Sequence, residues 1–515
     1  MESAPAPAML GCRWPLVLRS TTALRLSNAT LPNLPSSIRR PAYDRANVAT
    51  GIVHLGLGAF TRAHQAVYTD DVLAAGDRRW GIHGASLRAS ATRDALAPQH
   101  GLYTLAVRDA AGERLRVLGS LIGLSVAPDN PGELISAMAN PEVRIVSLTV
   151  TEKGYCHDPA TTELREDHPD ILHDLGNPYA PRSAPGLIVA ALALRRATGA
   201  APFTVLSCDN LPANGRTLKR VLIRLAQLAD RQLAAYLADT LACPSTMVDR
   251  IVPATTDQDR ARIAAALGAD DAWPVVTEPF SQWVIEDNFP LDRPDWSAHG
   301  AEFTRDVAPH ELMKLRLLNG AHSCLAYLGY LAGCQTVADA MAEPALAGFA
   351  ERLIHDEVIP VLTVPAGADV GAYQRALLQR FRNPALKHRT WQIAMDGSQK
   401  LPQRLLGTVR DRLARGLPIP RLALGIAAWM RYVTGTDEAG RPIDVRDPLV
   451  DELRRHADAA GPVAERLAPA LLGMESIFGH DLAADPRFTG PVIEALRSLL
   501  DVGALATLRR IDGSA

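Results

Sequence analysis

The chain has 515 residues, of which 47% are hydrophobic and 21% charged, so it is long enough for two or three domains with their own cores. Lysine and arginine number 54 against 56 aspartates and glutamates. The resulting net charge of −2 excludes a nucleic-acid-binding surface that covers the whole molecule. No apolar run approaches the roughly 18–20 residues that a membrane helix needs, so no membrane partner is expected.

The first 24 residues are unlike the rest of the chain. Their apolar run, Trp14–Leu18, is too short for a signal peptide and is followed by Arg19. We therefore interpret residues 1–24 as an extension, disordered rather than targeting, and exclude it from the fold.

From residue 25 to about 300, the pattern alternates between strands and helices. The predicted strands are Ile52–Leu55, Gly81–Leu87, Arg144–Val150 and Phe203–Ser207, and the predicted helices are Ala63–Ala75, Gly186–Ala197 and a long amphipathic Leu218–Leu237. The strand Arg144–Val150 is apolar on both sides, which is typical of a strand that is buried on both faces. This alternation predicts an α/β domain of the Rossmann type with a parallel sheet.

From residue 301 to 515, helical periodicity dominates and strand patterns are nearly absent. The predicted helices are Pro309–Ala332, Val337–Ile359, Val370–Phe381, Leu422–Thr434 and Gly461–Met474. We therefore expect a nucleotide-binding domain over residues 25–300 and a mostly α-helical domain over 301–515.

A glycine turn follows the first predicted strand and opens a helix. It reads Gly56-Leu57-Gly58-Ala59-Phe60-Thr61-Arg62, with Thr61 where the dinucleotide fingerprint has a third glycine. Such glycines let the backbone approach a pyrophosphate at the helix N-terminus. A plain strand-to-helix turn is the alternative, but the position after the first strand favours a cofactor site.

The predicted helix Pro309–Ala332 carries three polar residues that can perform chemistry. Asn319 and His322 are three residues apart and share one face, and Lys314 lies five and eight residues before them. A lysine can supply a proton to a ketone while amides stabilise the developing alkoxide. A second amide is Asn210, at the end of a predicted strand. The alternative is an exposed lysine and a core histidine.

Several ordered motifs resemble the polyol-specific long-chain dehydrogenases, the mannitol dehydrogenase family. They are GLGAFTRAHQAVYTD (56–70), SLTVTEKGYC (147–156), SCDNLPANG (207–215), MVDRIVPAT (247–255), EPFSQWVIEDNF (278–289) and KLRLLNGAHSCLAYLGYL (314–331). The resemblance implies an NAD-dependent, metal-independent dehydrogenase that acts on a small sugar acid or polyol.

The resemblance also implies site residues. Lys314 would be the general acid–base, Asn210 and Asn319 the oxyanion pair, and His322 a residue that positions the substrate. Glu152 matches an acid that the family links to proton movement, and Asp249 matches a site residue, although it could equally form an ion pair with Arg250. The expected cofactor-binding residues are Gly56, Gly58, Ala59, Phe60, Arg62, Arg88, Ser90 and Glu152.

The segment His388–Arg404 resembles the fructuronate-reductase branch of the family, which interconverts D-fructuronate and D-mannonate. Its Gln392 stands where mannitol enzymes have an arginine, and Lys400 matches a lysine of the substrate site. Arg389, Lys400 and Arg404 could bind a carboxylate, with solvation at the surface as the alternative for Arg404. The predicted substrate-binding set is Asp249, Arg389, Gln392 and Lys400. A mannitol or other polyol 2-dehydrogenase, and a non-catalytic nucleotide sensor, are the rival interpretations.

The residues after the second predicted strand bear on the choice of cofactor. They read Ser86-Leu87-Arg88-Ala89-Ser90-Ala91-Thr92-Arg93, without the acid that usually binds the ribose hydroxyls of NAD. We therefore expect NAD to be used and NADP to be tolerated, with Arg88 or Arg93 near its 2′-phosphate. Alternatively, Ser90 alone serves the ribose, or Asp94 turns towards it.

The six cysteines are scattered singly, without a CxxC pair or a Cys/His group at zinc-ligand spacing. This pattern favours free thiols in a reducing cytoplasm, and it predicts no metal site. We expect a cytoplasmic protein that is a monomer or a weak oligomer and binds no nucleic acid.

Overall fold

The computed structural model describes residues 24–158 and 161–511. Eleven strands occur in these residues: β1 (Thr50–Leu55), β2 (Gly81–Ser86), β3 (Tyr103–Asp109), β4 (Gly112–Leu118), β5 (Leu121–Val126), β6 (Ile145–Leu148), β7 (Thr204–Ser207), β8 (Thr246–Asp249), β9 (Val275–Thr277), β10 (Gln282–Glu286) and β11 (Glu302–Thr304). The four strands that the sequence predicts occur as β1, β2, β6 and β7, with ends shifted by at most two residues. Of the predicted extension 1–24, all but Leu24 lies outside the described residues.

The central sheet is parallel and has the strand order β5-β2-β1-β6-β7. Strands β6 and β7 are buried along their whole length, as expected where helices cover both faces of a parallel sheet. The chain runs outward from β1 in both directions, so the order switches between β1 and β6. Open α/β sheets bind their ligands at such a switch point, beyond the carboxyl ends of the strands.

Two smaller three-stranded sheets were not predicted. One has the order β4-β3-β9 and the other β11-β10-β8, and each contains both a parallel and an antiparallel pair. Their strands are three to seven residues long, too short for a reliable periodic pattern. The second sheet matters for the site because β8 ends at Asp249.

Nine α-helices surround these sheets: α1 (Ala59–Ala63), α2 (Gln65–Ala75), α3 (Ala91–Leu96), α4 (Pro131–Ala139), α5 (Pro169–Gly176), α6 (Ala184–Ala197), α7 (Asn214–Ala229), α8 (Arg231–Thr240) and α9 (Asp257–Leu267) in the described residues. The predicted single helix Leu218–Leu237 is wrong, because the chain is extended at Asp230. The Asp230 carboxylate instead accepts hydrogen bonds from the N–H groups of Gln232 and Leu233 and begins α8. The predicted Ala63–Ala75 is likewise divided, at His64.

After β11 the chain is helical. Its α-helices are α10 (Ala308–Met313), α11 (Ala321–Leu331), α12 (Val337–Ala342), α13 (Pro344–Arg352), α14 (Val370–Phe381), α15 (Thr390–Ala394), α16 (Gly397–Leu401), α17 (Gly407–Ala414), α18 (Pro420–Val433), α19 (Val450–Ala460), α20 (Ala464–Leu472), α21 (Glu475–Ala483) and α22 (Pro486–Ile511). Three π-helical segments interrupt them: Lys314–Gly320, Leu353–Val358 and Pro402–Leu406. The predicted Val337–Ile359 is divided because Pro344 begins a new helix.

One hydrophobic core holds the helical part together, from Met313 to Leu508. Helix α11 lies within this core, and all of its residues except Tyr330 are buried. A helix that is buried all round is held in a fixed position by its neighbours. Within the described chain, no helix has both the length and the apolar character needed to cross a membrane.

Candidate active site

A cleft of about 1060 Å³ opens at the carboxyl ends of β1, β2 and β6, which we call the sheet-edge cleft. Its walls include the segments Gly56–Gly58, Ser86–Ala89, Thr149–Thr151 and Pro181–Ala184. The cleft therefore lies at the switch point of the parallel sheet, where the glycine turn was expected to hold a dinucleotide.

The glycine turn requires its first glycine. Gly56 has φ of +91°, and a Cβ atom built on it would lie 2.2 Å from the carbonyl oxygen of Thr149. The Thr149 hydroxyl in turn donates to the Gly56 carbonyl at 2.8 Å and contacts the buried ring of His54. Gly58 precedes the N-terminus of α1, and a Cβ there would touch only the Gly56 oxygen, at 3.8 Å. The backbone is thus open towards the cleft, which fits the pyrophosphate of a dinucleotide.

Three predicted cofactor residues lie in or next to the first turn of α1. Ala59 and Phe60 are half-buried, and Phe60 stacks on His64 with ring centroids 5.1 Å apart. Arg62 is buried and points away from the cleft, donating to the carbonyl oxygens of Gly58 (3.1 Å) and Trp273 (2.5 Å). The prediction that Arg62 binds the cofactor therefore disagrees with its position, since Arg62 does not line the cleft and two of its N–H groups bond to backbone carbonyls.

Of the two arginines after β2, one forms ion pairs and the other does not. Arg93 forms ion pairs with Asp94 and Asp129, and the Ser90 hydroxyl donates to Asp94 at 2.6 Å. Arg88 is exposed in the sheet-edge cleft, and its guanidinium has no ion pair among the described residues. Of the two arginines considered for a 2′-phosphate, only Arg88 is thus available.

Lys314 joins the two parts of the chain. Its Nζ donates to the Asn210 Oδ1 at 2.5 Å and to the carbonyl oxygen of Val248. Asn210 follows β7, Val248 belongs to β8, and Lys314 begins a π-helical segment in the helical part. Asn319 lines the same small cavity as Lys314 and Asn210. We call these three residues the lysine site.

The π-helical segment Lys314–Gly320 explains how Lys314 and Asn319 come together. In an α-helix, which turns about 100° per residue, side chains five residues apart point in well-separated directions. A wider π turn reduces that separation, and such turns often occur at functional sites. The regular α-helix that the sequence predicts here would not bring Lys314 and Asn319 to one face, whereas the π-helical turn does.

The charge of Lys314 is set by its surroundings. The pKa of Lys314 is lowered to about 8, mainly by burial. The charges of Arg404 and Arg380 also lower it, whereas those of Asp249 and Glu311 raise it. Glu311, which the sequence analysis missed, lies one helical turn before Lys314 and accepts a hydrogen bond from the Ala213 N–H. An acid three residues before the lysine was the available indication.

His322 lies beside the lysine site rather than in its small cavity. Its ring stacks on Phe381 at 5.0 Å between centroids and contacts the His388 ring edgewise at 4.9 Å. Burial, with help from the neighbouring cations, keeps the pKa of His322 well below its usual value, so the ring is neutral. Its buried Nε2 has no protein partner among the described residues and can bond a substrate hydroxyl.

A second group of charges adjoins His322. Lys400 donates to the carbonyl oxygens of Ile393 and Met395, and burial lowers its pKa to about 8. Arg404 donates to the Ser323 hydroxyl at 3.1 Å. Arg404 is half-buried next to the site, so the alternative of simple surface solvation is wrong.

Glu152 belongs to this group. Its carboxyl is exposed on one side, yet surrounding protein raises its pKa, while Arg404 and Lys400 oppose that rise. Its neighbours Thr151 and Lys153 line the sheet-edge cleft, but Glu152 itself does not. The two cations that act on Glu152, Arg404 and Lys400, lie near His322, so its position favours the substrate side, and its assignment to the cofactor stays a prediction.

Arg389 and Gln392 lie elsewhere. Both are exposed and line a separate cleft, whose other wall comes from Arg108, Glu113 and Asp259. None of the residues of the lysine site lines that cleft. Their prediction as substrate-binding residues is thus not supported by the geometry, because the cleft that they line contains neither Lys314 nor Lys400.

Asp249 has an unexpected partner. Both of its carboxylate oxygens accept hydrogen bonds from Arg380, at 2.8 and 2.9 Å. The alternative partner from the sequence, Arg250, instead donates to the carbonyl oxygens of Ala63 and Glu278. Asp249 is therefore held by Arg380 rather than by Arg250. Arg380 was missed because it lies 131 residues away in the chain.

One group of metal-ligand type occurs in residues 24–158 and 161–511. The ligand atoms of Cys156, His168 and Asp170 lie within 4.8 Å of one another. Burial and the nearby carboxylates raise the pKa of Cys156 to about 12, so its thiol is protonated. This group borders the sheet-edge cleft and is separate from the lysine site. The spacing rule that predicted no such group was too narrow.

A dinucleotide cleft that adjoins a lysine with a lowered pKa and two amides is the arrangement of a nicotinamide-dependent dehydrogenase. The family model of the mannitol dehydrogenase Rossmann domain matches residues 50–298, and that of the mannitol dehydrogenase C-terminal domain matches residues 306–500. The chain therefore belongs to the mannitol dehydrogenase family and is an NAD-dependent dehydrogenase.

Individual relatives agree with this assignment. The chain is 49% identical to D-mannonate oxidoreductase of Escherichia coli, over 92% of this chain and 97% of that one. It is 41% identical to mannitol 2-dehydrogenase of Pyrenophora tritici-repentis, over 95% and 86%. Among solved structures, mannitol 2-dehydrogenase of Pseudomonas fluorescens, determined with NAD and D-mannitol, superposes with a TM-score of 0.88 at 38% identity, over 96% and 100%.

Proposed function

We propose that the enzyme interconverts D-fructuronate and D-mannonate, with Lys314 as the general acid–base. The observation that carries this proposal is that Arg404 lies near Lys314 and that Arg404 and Lys400 both lie near His322, because two cations there can hold a carboxylate. The 49% identity to D-mannonate oxidoreductase supports the same substrate.

The hydrogen bonds of Lys314 suit proton transfer in both directions. A protonated lysine has three N–H donors, and two of them are used by Asn210 and Val248. In the neutral amine, the same two acceptors take both N–H groups and leave the lone pair for the substrate. Lys314 would therefore accept the hydroxyl proton of D-mannonate, or return it to the keto oxygen of D-fructuronate.

The two amides complete this chemistry. Because the Asn210 Oδ1 accepts from Lys314, its NH₂ group remains for the substrate oxygen. Asn319 lies in the same cavity and offers a second amide donor. Neutral donors of this kind stabilise an alkoxide without a metal ion.

The residues at the sheet-edge cleft fit NAD. Gly56 and Gly58 would admit the pyrophosphate, and Arg88, which follows β2 in the same cleft, would lie near the adenosine ribose. When bound, NAD accepts a hydride from the alcohol carbon and NADH donates it to the ketone. In this proposal Glu152 interacts with Arg404 and Lys400 on the substrate side and does not bind the cofactor.

A kinetic comparison tests the substrate. We expect kcat/KM for D-fructuronate to exceed that for D-fructose, because only the former carries a carboxylate. The Arg404→Met variant should reduce that preference, whereas Arg389→Met, in the separate cleft, should not. Equal kcat/KM values for the two ketones in the unmodified enzyme would favour the second candidate, a mannitol 2-dehydrogenase, which the 41% identity to such an enzyme supports.

We also propose that the enzyme works in the cytoplasm as a monomer or weak oligomer. All five cysteines in the described residues are free thiols, which suits a reducing compartment.

A further inference from the structure

A buried arginine connects the two parts of the chain next to the lysine site. Arg380 of α14 donates twice to Asp249, at 2.8 and 2.9 Å, and twice to Glu278, at 2.8 and 3.0 Å. The side chains of Arg380, Asp249 and Glu278 are 8%, 4% and 1% exposed. The ring of Phe280 covers the guanidinium at 3.9 Å from its centroid. We call Arg380, Asp249 and Glu278 the arginine triad.

The arginine triad and the lysine site are connected by the backbone at the end of β8. Asp249 directly follows Val248, whose carbonyl oxygen accepts the hydrogen bond from Lys314. Glu278 also accepts a hydrogen bond from the Ile251 N–H at 2.7 Å, on the other side of Asp249. The end of β8 is thus held on both sides by the same triad.

Five ionisable groups from five different segments surround Lys314. They are Asp249 of β8, Glu311 of α10, Arg380 of α14, Arg404 of a π-helical segment, and His64 between α1 and α2. His64 is buried with its pKa lowered to about 3, so it is neutral. Asp249 is the strongest opposing charge, and both of its oxygens are occupied by Arg380.

We propose that Arg380 is a positioning residue: it holds the Val248 carbonyl in place for Lys314 and prevents Asp249 from forming an ion pair with Lys314. Without Arg380, the Asp249 carboxylate would be a buried charge without its partner, and Asp249 is already the acid that acts most strongly on the lysine ammonium. A lysine in such a pair stays protonated and cannot accept a proton from the substrate alcohol. This inference rests on the proposed role of Lys314.

The test compares two variants. In Arg380→Met, the freed carboxylate should raise the pKa of Lys314 by about one unit or more, the usual effect of a nearby opposite charge. The pH profile of kcat/KM for alcohol oxidation should then move to higher pH by the same amount. In the double variant Arg380→Met/Asp249→Asn, the carboxylate is absent, so the profile should move back towards that of the unmodified enzyme.

A second measurement does not depend on activity. The rate at which an amine-reactive reagent modifies Lys314, followed by mass spectrometry across pH, reports the pKa of that lysine directly. If this pKa shifts as expected while turnover does not follow it, the positioning by Arg380 holds and the proposed role of Lys314 fails. An unchanged Lys314 pKa in folded Arg380→Met would overturn the inference.

Controls separate positioning from simple stabilisation. Arg380→Lys keeps a charge beside Asp249 and should restore most of the pH profile, although one ammonium cannot span both carboxylates. Arg412→Met removes another buried arginine of the helical part, one whose partners are backbone carbonyls. It should leave the profile in place. A shift in the Arg412→Met profile equal to that of Arg380→Met would show that loss of stability alone moves it.

Discussion

The Nζ of Lys314 lies 2.5 Å from the Oδ1 of Asn210, so one hydrogen bond joins the helical part of the chain to the end of β7. Neither part alone contains a complete proton-transfer site, since the amide and the β8 carbonyl come from one and the lysine from the other. Proton transfer therefore depends on how the π-helical segment with Lys314 is placed against the ends of β7 and β8, as well as on the identity of the residues.

Replacing the lysine should remove the chemistry and leave cofactor binding intact. We expect Lys314→Ala to lower turnover by about two to four orders of magnitude, the usual loss for a general acid–base group. The dissociation constant for NADH should stay the same, because Gly56 and Gly58 belong to a different cleft.

A lysine outside the site provides the matched control. Lys387 is exposed in the separate cleft, and Lys387→Ala should have normal turnover. Near-normal activity of Lys314→Ala at neutral pH would remove Lys314 from the mechanism.

The lowered pKa of Lys314, about 8, predicts the pH dependence of both directions. Alcohol oxidation needs the neutral amine, so its rate should rise with pH and level off above about 8. Ketone reduction needs the ammonium, so its rate should fall as the pH passes the same value. Measured kcat/KM profiles for D-mannonate and D-fructuronate check this; profiles that bend in the same direction would contradict it.

The unpaired Arg88 predicts tolerance of NADP. We expect the preference of kcat/KM for NADH over NADPH to be below a thousandfold, about 4 kcal/mol at 1.4 kcal/mol per tenfold. Arg88→Ala should lower kcat/KM for NADPH and leave that for NADH nearly unchanged. Arg93→Ala is the matched control, since Arg93 is already paired with Asp94 and Asp129. A larger preference for NADH would mean that another group excludes the phosphate.

Independence from metal is a further prediction. Two amides and a lysine can stabilise the alkoxide, so prolonged treatment with EDTA or phenanthroline should not change the rate. Inactivation that zinc reverses would contradict this and would direct attention to Cys156, His168 and Asp170.

Local sequence patterns predicted the parallel sheet and much of the helical part. The four predicted strands and Val370–Phe381 were placed well because their apolar periodicity is strong. Helix breaks at Asp230 and Glu343 were missed because capping and a following proline act on single residues within otherwise periodic stretches.

For the candidate site, the sequence predicted some residues and missed or misplaced others. Lys314, Asn210 and Asn319 follow from the chemistry of residue types at the ends of strands and on one helix. The Arg380–Asp249 pair could not be predicted, because a local sequence pattern contains no information about a contact between residues far apart in the chain. Arg62 and Arg389 show the opposite error: their residue type suggested a ligand, but Arg62 is buried with bonds to backbone carbonyls and Arg389 lines a separate cleft.

The π-helical segment after Met313 has one further consequence. A wide turn costs regular backbone hydrogen bonding, and removal of a single residue such as Leu315 would allow an ordinary α-helix to form there. That deletion would leave Lys314 and Asn319 four residues apart, and side chains four residues apart share one face of an α-helix. An α-helix over the undeleted segment would instead set the two side chains about 140° apart. The enzyme thus keeps a locally unfavourable helix that one small deletion could relieve.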